Sequence, residues 1–390
     1  MGELTKARCF ALIKPSLILG IQEHYKLGKF IRKRYANFLP AAYNAKTVHV
    51  RSTDYNRTIM SALANLAGLF PLQSYQRWSE NVTWQPIPVH SFPGEDDHCV
   101  NRRAQILHMD ARCPRAEALQ RATFESKEVV DIVKQNEDFF AFLRNETGLP
   151  LTSLNDIRFI FDPLNCARIH KHLTPYWLSD DVFRKVCDLF ALSTAYWYKG
   201  DEQKRLRGGS LLKDILMRML SVSNNRTDSA FKIYAYSGHD ATLVALLENL
   251  GIYNTLLVPA YASVIIFELR EISARYFVRV CVKVVCSFVF CIMHDAIQIL
   301  YKNGANAQVV LLKLPFCDEN CPLDDLVERF DHSAPVDWKA ECGLESKPFA
   351  WKTYALVFFV MTVIAVNLLV AQTVYFVHKQ RREIIFTFKV

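Results

Sequence analysis

An α/β fold with a helical insertion, followed by one membrane-length helix, is what this sequence predicts. Three observations predict it: two strand-to-helix units far apart in the chain, a helical stretch between them, and a long uncharged segment near the C-terminus. The 390 residues are 51% apolar and 22% charged, with 13 Gly, 15 Pro and 11 Cys. That composition can bury a sizeable core and excludes a disordered chain, a collagen and a disulfide mini-scaffold. The length fits two domains, or one α/β domain with a large insertion. The net charge of +8 comes from scattered basic residues without an aromatic-interleaved stripe, so no nucleic-acid partner is expected.

In the first unit, Thr47 to Val50 (TVHV) is a β-rich run ending at Arg51. Ser52-Thr53-Asp54 offer N-cap candidates for an apolar-periodic helix (Ile59, Leu63, Leu66, Leu69) stopped by Pro71. In the second, Phe231 to Tyr236 (FKIYAY) is a strand, Ser237-Gly238 a turn, and His239-Asp240 opens a helix carrying Leu243, Leu246, Leu247 and Leu250, closed by Gly251. In open α/β sheets ligands bind beyond the carboxyl ends of strands, where a helix N-terminus offers unpaired N–H groups to an anion. Arg51, His239 and Asp240 at such places suggest a phosphate or carboxylate pocket. The same pattern is equally met by an Arg51 paired with a surface acid, a His239 acting as a cap residue and an Asp240 stabilising a helix dipole.

Between the units, over roughly 98–225, the periodicity turns helical. Arg115 to Asn145 reads as one or two amphipathic helices, Ser179 to Tyr198 as another and Leu211 to Val222 as a third. The aromatics Tyr176, Trp177, Tyr196, Trp197 and Tyr198 read as core packing.

Tyr354 to Val377 (YALVFFVMTVIAVNLLVAQTVYFV) carries no charge and, at about 1.5 Å per residue, is long enough for a hydrocarbon core of about 30 Å. His378, Lys379, Arg381 and Arg382 follow it, whereas only Lys347 and Lys352 precede it, which predicts a cytoplasmic tail over 378–390. The rest is then lumenal or extracellular, in a single-pass type I arrangement with the lipid bilayer as partner. Sequons at Asn56, Asn81, Asn145 and Asn225 agree with that side, as do eleven cysteines with a close pair, Cys317 and Cys321. A zinc reading of that pair lacks two further nearby ligands. The opening MGELTKARCF shows no signal peptide, which such a protein requires.

HVRSTDYNRTIMSALANLAGLFP (49–71) and YSGHDATLVALLENLGIY (236–253) closely resemble two signature stretches of the histidine acid phosphatases, in the branch with lysosomal and prostatic acid phosphatases. LGKFIRKRYANFL (27–39), FDPLNCARIH (161–170), CDENCPLDDLV (317–327) and VDWKAEC (336–342) are similar as well, so the likeness covers most of residues 20–342. The resemblance implies a phosphoglycerate-mutase-like α/β sandwich with an inserted helical cap. Residues 1–97 and 226–342 would form the α/β domain, with an atypical insert near 279–297, and residues 98–225 the cap.

The same resemblance implies hydrolysis of phosphate monoesters through a phosphohistidine, with no metal or cofactor. Arg51 would bind phosphate oxygens, His239 would add a positive donor and Asp240 would protonate the leaving alkoxide. A phosphate monoester or inorganic phosphate is the expected ligand, and a homodimer is among the partners the resemblance admits. The family's nucleophile lies in an Arg-His-Gly-x-Arg-x-Pro stretch, and no Arg-His dipeptide occurs in this chain. As written, the chain is therefore expected to be inactive by that route. A coding start placed too far downstream would account for both missing features, and a non-catalytic phosphate-binding ectodomain is the alternative.

Ala7 to Leu19 and Arg279 to Ile297 are insertions relative to the family pattern, the second between the strands ARYFV and QILYKNG. The resemblance implies bridges Cys113–Cys342 and Cys317–Cys321, and expected glycosylation falls on Asn81, Asn145 and Asn225. Cys166 matches a bridged family position whose usual partner falls at Val264 here, which leaves that pairing open with Cys187 as a candidate; Cys99 stays unassigned.

Overall fold

The structure, a computed structural model, describes residues 13–92, 106–170, 174–224, 231–253, 259–273, 275–283, 310–312, 314–317, 320–344 and 351–387. The chain divides into two units, Met1–Cys342 and Gly343–Val390.

In the first unit, helix α1 (Ile13–Arg34) leads to strand β1 (Val48–Thr53), helix α2 (Asn56–Leu69) and the short strand β2 (His90–Phe92). Strand β3 (Ile233–Ser237) joins them from far downstream to give a parallel sheet in the order β2-β1-β3. Arg51 stands opposite His90 on one side and Tyr236 on the other. Because the strands are parallel, Thr53, Phe92 and Ser237 share one sheet end, where β1 and β3 hand over to helices.

Alternation along β1 sends Val48 and Val50 to one face, and Ile233 and Ala235 join them in register. They pack on Ala62, Leu66 and Leu69 of α2 and on Leu39, Phe70 and Ile87. Each such aliphatic side chain contributes about 1.5–3 kcal/mol by leaving water. Helices α1 and α2 cross at two glycines: a Cβ on Gly68 would lie 2.2 Å from the Tyr25 carbonyl oxygen, and one on Gly28 2.0 Å from that of Asn65. Only a residue without a side chain permits that approach.

The opposite face departs from the apolar habit of parallel sheets. It carries His49, Arg51, Thr53, Tyr234 and Tyr236, and helix α9, introduced below, covers it with polar partners. The Tyr236 hydroxyl donates to Asp214 Oδ2 at 2.5 Å, Arg218 Nε donates to the same oxygen at 2.8 Å, and the guanidinium lies 4.4 Å over the Tyr234 ring. His49 stacks on His90 with ring centroids 5.0 Å apart.

Residues 106–223 contain no strand among the described residues. Helices α3 (Pro114–Phe124), α4 (Lys127–Gln135), α5 (Glu137–Thr147), α6 (Arg158–Ile169) and α7 (Asp180–Thr194) surround a core built on Phe140, Leu143, Leu154, Ile157 and Phe183. The stretch expected to form one or two helices forms three. Ser126 restarts the chain as N-cap of α4 and Gly148, at φ 70°, ends α5. Helix α6 went unread, since Pro163 lies inside it. Tyr196 and Tyr198 are buried as expected, but Tyr176 is 92% exposed, its hydroxyl donating to Glu146.

A short helix α8 (Asp201–Lys204) passes through a π-turn into α9 (Ser210–Ser223). After β3 come α10 (Asp240–Asn249) and an antiparallel pair, β4 (Val264–Ile272) with β5 (Arg275–Lys283), joined by the two-residue strands β6 (Val310–Leu311) and β7 (Cys321–Pro322). Strand β5 continues through Arg279 to Lys283, so the insert expected near 279–297 begins as an extension of a strand; its remainder, 284–297, and QILYKNG lie outside the described residues. Helices α11 (Leu323–Arg329) and α12 (Trp338–Glu341) close the unit. Leu212, Leu246, Leu250, Val278, Leu323 and Leu326 share a further core of this unit.

Cys113–Cys342 and Cys317–Cys321 are bridged. Cys166 is a free thiol whereas Cys187 is disulfide-bonded, so Cys187 does not partner Cys166. Asn81 and Asn145 are exposed; Asn225 lies outside the described residues.

The second unit holds helix α13 (Trp351–Thr387). Within it Phe358–Gln380 has mean hydropathy 2.0 and none of it is buried, which makes it long and apolar enough to cross a membrane.

Candidate functional site

Thr53 ends β1 and Tyr55 stands at the N-cap of α2 without a side-chain cap bond. The expected cap residues Ser52 and Thr53 instead prolong the strand and are buried. Strand pairing with β3 on one flank and β2 on the other outcompetes capping, because it satisfies a whole backbone ladder. Thr58 takes over the turn, its hydroxyl lying 3.0 Å from the Thr53 carbonyl and 2.9 Å from that of Tyr55.

This turn meets His239, the N-cap residue of α10. Thr53 Oγ1 lies 2.8 Å from Thr58 Oγ1 and 3.1 Å from His239 Nε2. Thr58 spends its proton on a carbonyl, so Thr53 donates to Thr58 and accepts from His239 Nε2–H. His239 is thereby held as the tautomer whose bare Nδ1 faces Arg57, with Nη2 at 3.4 Å. Burial, then the Arg57 charge, pushes the His239 pKa below its usual value, while Asp110 and Asp240 pull it up. Ser237 Oγ donates to the Thr58 carbonyl at 2.9 Å and pins the end of β3 to the first turn of α2.

Arg51 is half-buried on β1, two residues before Thr53 and on the same sheet face, opposite Tyr236 in register. Its charge is felt at His49, whose pKa burial lowers first. Asp240 is exposed as the first residue of α10, and its charge is felt at His239, Tyr198 and Tyr253. The residues read from sequence thus come from two adjacent strand ends.

Sequence reasoning missed Thr53 as a partner of His239, and also Arg57, Tyr55, His108 and Asp110. Arg57 carried a signal: a cation in the first turn of a helix opposes the helix dipole, so it marks a position held for another reason. Tyr55 meets His239 edge-on at 5.1 Å with Arg57 4.7 Å over its ring. His108 and Asp110, from the segment before α3, complete a cavity beside this cluster with Asp54, Tyr55 and Ala111. Nothing in their local sequence points there.

Chemically, guanidinium groups and a protonatable imidazole beside a helix N-terminus suit a tetrahedral oxyanion, and a carboxyl on the next residue can move a proton. Residues 14–283 match the family model described as histidine phosphatase superfamily (branch 2). The chain is 36% identical to the prostatic acid phosphatase of Bos taurus, over 84% of this chain and 79% of that one. It is 35% identical to the lysosomal acid phosphatase of Homo sapiens, over 84% and 72%. Among solved structures it is similar in fold to the phytase of Citrobacter braakii, with TM-score 0.57, 15% identity and coverage of 83% and 88%.

Proposed function

Because the chain belongs to branch 2 of the histidine phosphatase superfamily, we propose that its first unit is an acid-phosphatase-type α/β domain with the helices of residues 98–225 as its cap. It binds the phosphate of a monoester at the ends of β1 and β3. Arg51 and Arg57 supply planar donors to phosphate oxygens, and His239 becomes a positive donor once protonated. Asp240 is the group placed to protonate a leaving alkoxide, which departs badly as an anion. The observation that carries this reading is the Thr53–His239–Arg57 arrangement, which joins both signature stretches through side chains.

The Arg-His-Gly stretch that holds the family's nucleophile has no counterpart in these 390 residues. The 390-residue chain therefore binds phosphate without forming a phosphohistidine by that route, since loss of a nucleophile costs many orders of magnitude in rate. Titration calorimetry of the detergent-solubilised full chain with inorganic phosphate tests the site. Binding at acidic pH that Arg51→Ala weakens about 10- to 100-fold supports it; equal binding by wild type and variant sinks it. Hydrolysis of p-nitrophenyl phosphate by the pure chain would overturn the inactivity.

Helix α13 spans a bilayer through residues 354–377, with residues 378–390 cytoplasmic and the phosphatase-type unit lumenal or extracellular. The apolar run and the cations after it support this. Release of the protein from membranes by alkaline carbonate would refute it.

A further inference from the structure

The cavity beside His239 has a volume of about 340 Å³ and carries chemistry that phosphate binding leaves unused. Tyr55 lines it and also touches the cationic cluster. Arg57 and His239 stand against the face and edge of its ring. Its hydroxyl is directed to Asp110 Oδ2 at 3.5 Å and its ring lies 5.9 Å from that of His108. The Asp110 charge is the largest influence raising the Tyr55 pKa.

His108 is only 8% exposed, its Nδ1 lies 4.0 Å from Asp110 Oδ1, and its Nε2 has no hydrogen-bond partner among the described residues. Asp54, whose Oδ1 accepts from Ser91 Oγ at 3.1 Å, adds a second carboxylate. The wall at Asp54 and Asp110 is therefore acceptor-rich and anionic, while the Arg57–His239 cluster is cationic.

We propose that this cavity holds the leaving alcohol of a zwitterionic phosphate monoester: its phosphate lies on the Arg57–His239 side of Tyr55, and an ammonium group on the alcohol lies among Asp54, His108 and Asp110. The inference rests on the phosphate reading above and adds the substrate class. A neutral alcohol leaves two carboxylates without a counter-charge. A polyphosphorylated alcohol places a second anion against them.

The test is calorimetry on the detergent-solubilised full chain with inorganic phosphate, O-phosphoethanolamine and glycerol 3-phosphate. We expect O-phosphoethanolamine to bind about tenfold more tightly than glycerol 3-phosphate, a difference of about 1.4 kcal/mol. In Asp110→Asn, and separately in Asp54→Asn, that ratio falls towards one; both positions are exposed, which keeps folding intact. Equal affinities in the wild type, or a ratio that survives both substitutions, overturn the proposal while phosphate binding stands. Absence of binding by inorganic phosphate overturns the phosphate reading and this inference with it.

Discussion

Arg57 Nη2 lies 3.4 Å from the bare Nδ1 of His239, so a fixed cation faces the one nitrogen on which that imidazole would take up a proton. While the imidazole is neutral, Arg57 donates to Nδ1; once it is protonated the two cations repel. A phosphate bound beside both offsets that repulsion by accepting a charge-assisted hydrogen bond from each.

The first consequence concerns proton affinity. Replacing Arg57 with Gln removes the second-largest influence that lowers the His239 pKa, so that pKa rises. Histidine-selective NMR titration of the full chain reads it directly. A downward or absent shift contradicts the assigned geometry.

A second concerns pH and stability. The His239 pKa lies below 6.5 in the folded chain, so between 6.5 and that lowered value the unfolded chain binds more protons. This group's contribution to native stability is therefore lost as pH falls through that window. Bound phosphate favours the imidazolium and reverses the trend, so the rise in Tm on adding inorganic phosphate grows as pH drops below 6.5. His239→Gln flattens that growth; an unchanged slope in the variant would refute the role.

The glycine crossing of α1 and α2 predicts a packing cost. Gly68→Ala places its Cβ against the Tyr25 carbonyl, forcing the helices apart at about 1–3 kcal/mol. Alanine's better helix propensity returns at most about 1 kcal/mol. Urea denaturation should show a net loss, and a gain would mean that the helices do not meet there.

Cys113–Cys342 closes a loop with sequence separation 229, against 4 for Cys317–Cys321. On the chain-entropy argument its removal by paired Ser substitutions costs roughly 2–5 kcal/mol, and removal of the short bridge costs less. Comparing the two Tm losses checks the order.

Much of this architecture was legible because it is local. Both strand-to-helix units, the α7 and α9 helices and the long apolar segment follow from periodicity that any window displays. Where long-range pairing competed with a local signal, the window misled. Ser52 and Thr53 read as caps because hydroxyls favour helix starts, yet β2 and β3 claim their backbones. The break of 115–145 into three helices turns on single residues: Ser126 caps α4, and Asn136 at the next junction turns its side-chain amide back to the Ile132 carbonyl, interrupting a nearly continuous apolar stripe.

By itself the sequence determined the α/β periodicity, the family signatures around Arg51 and His239–Asp240, and a segment with too little charge to need water. Tertiary structure alone decided that Thr53 sets the His239 tautomer, that Arg57 opposes its protonation, and that His108 and Asp110 meet Tyr55 beside both. The reason is physical: periodicity and capping are carried by neighbours in the chain. A protonation state or a cavity wall is set by charges a few ångströms apart in space, and here those come from residues separated by 55 to 186 positions in the chain.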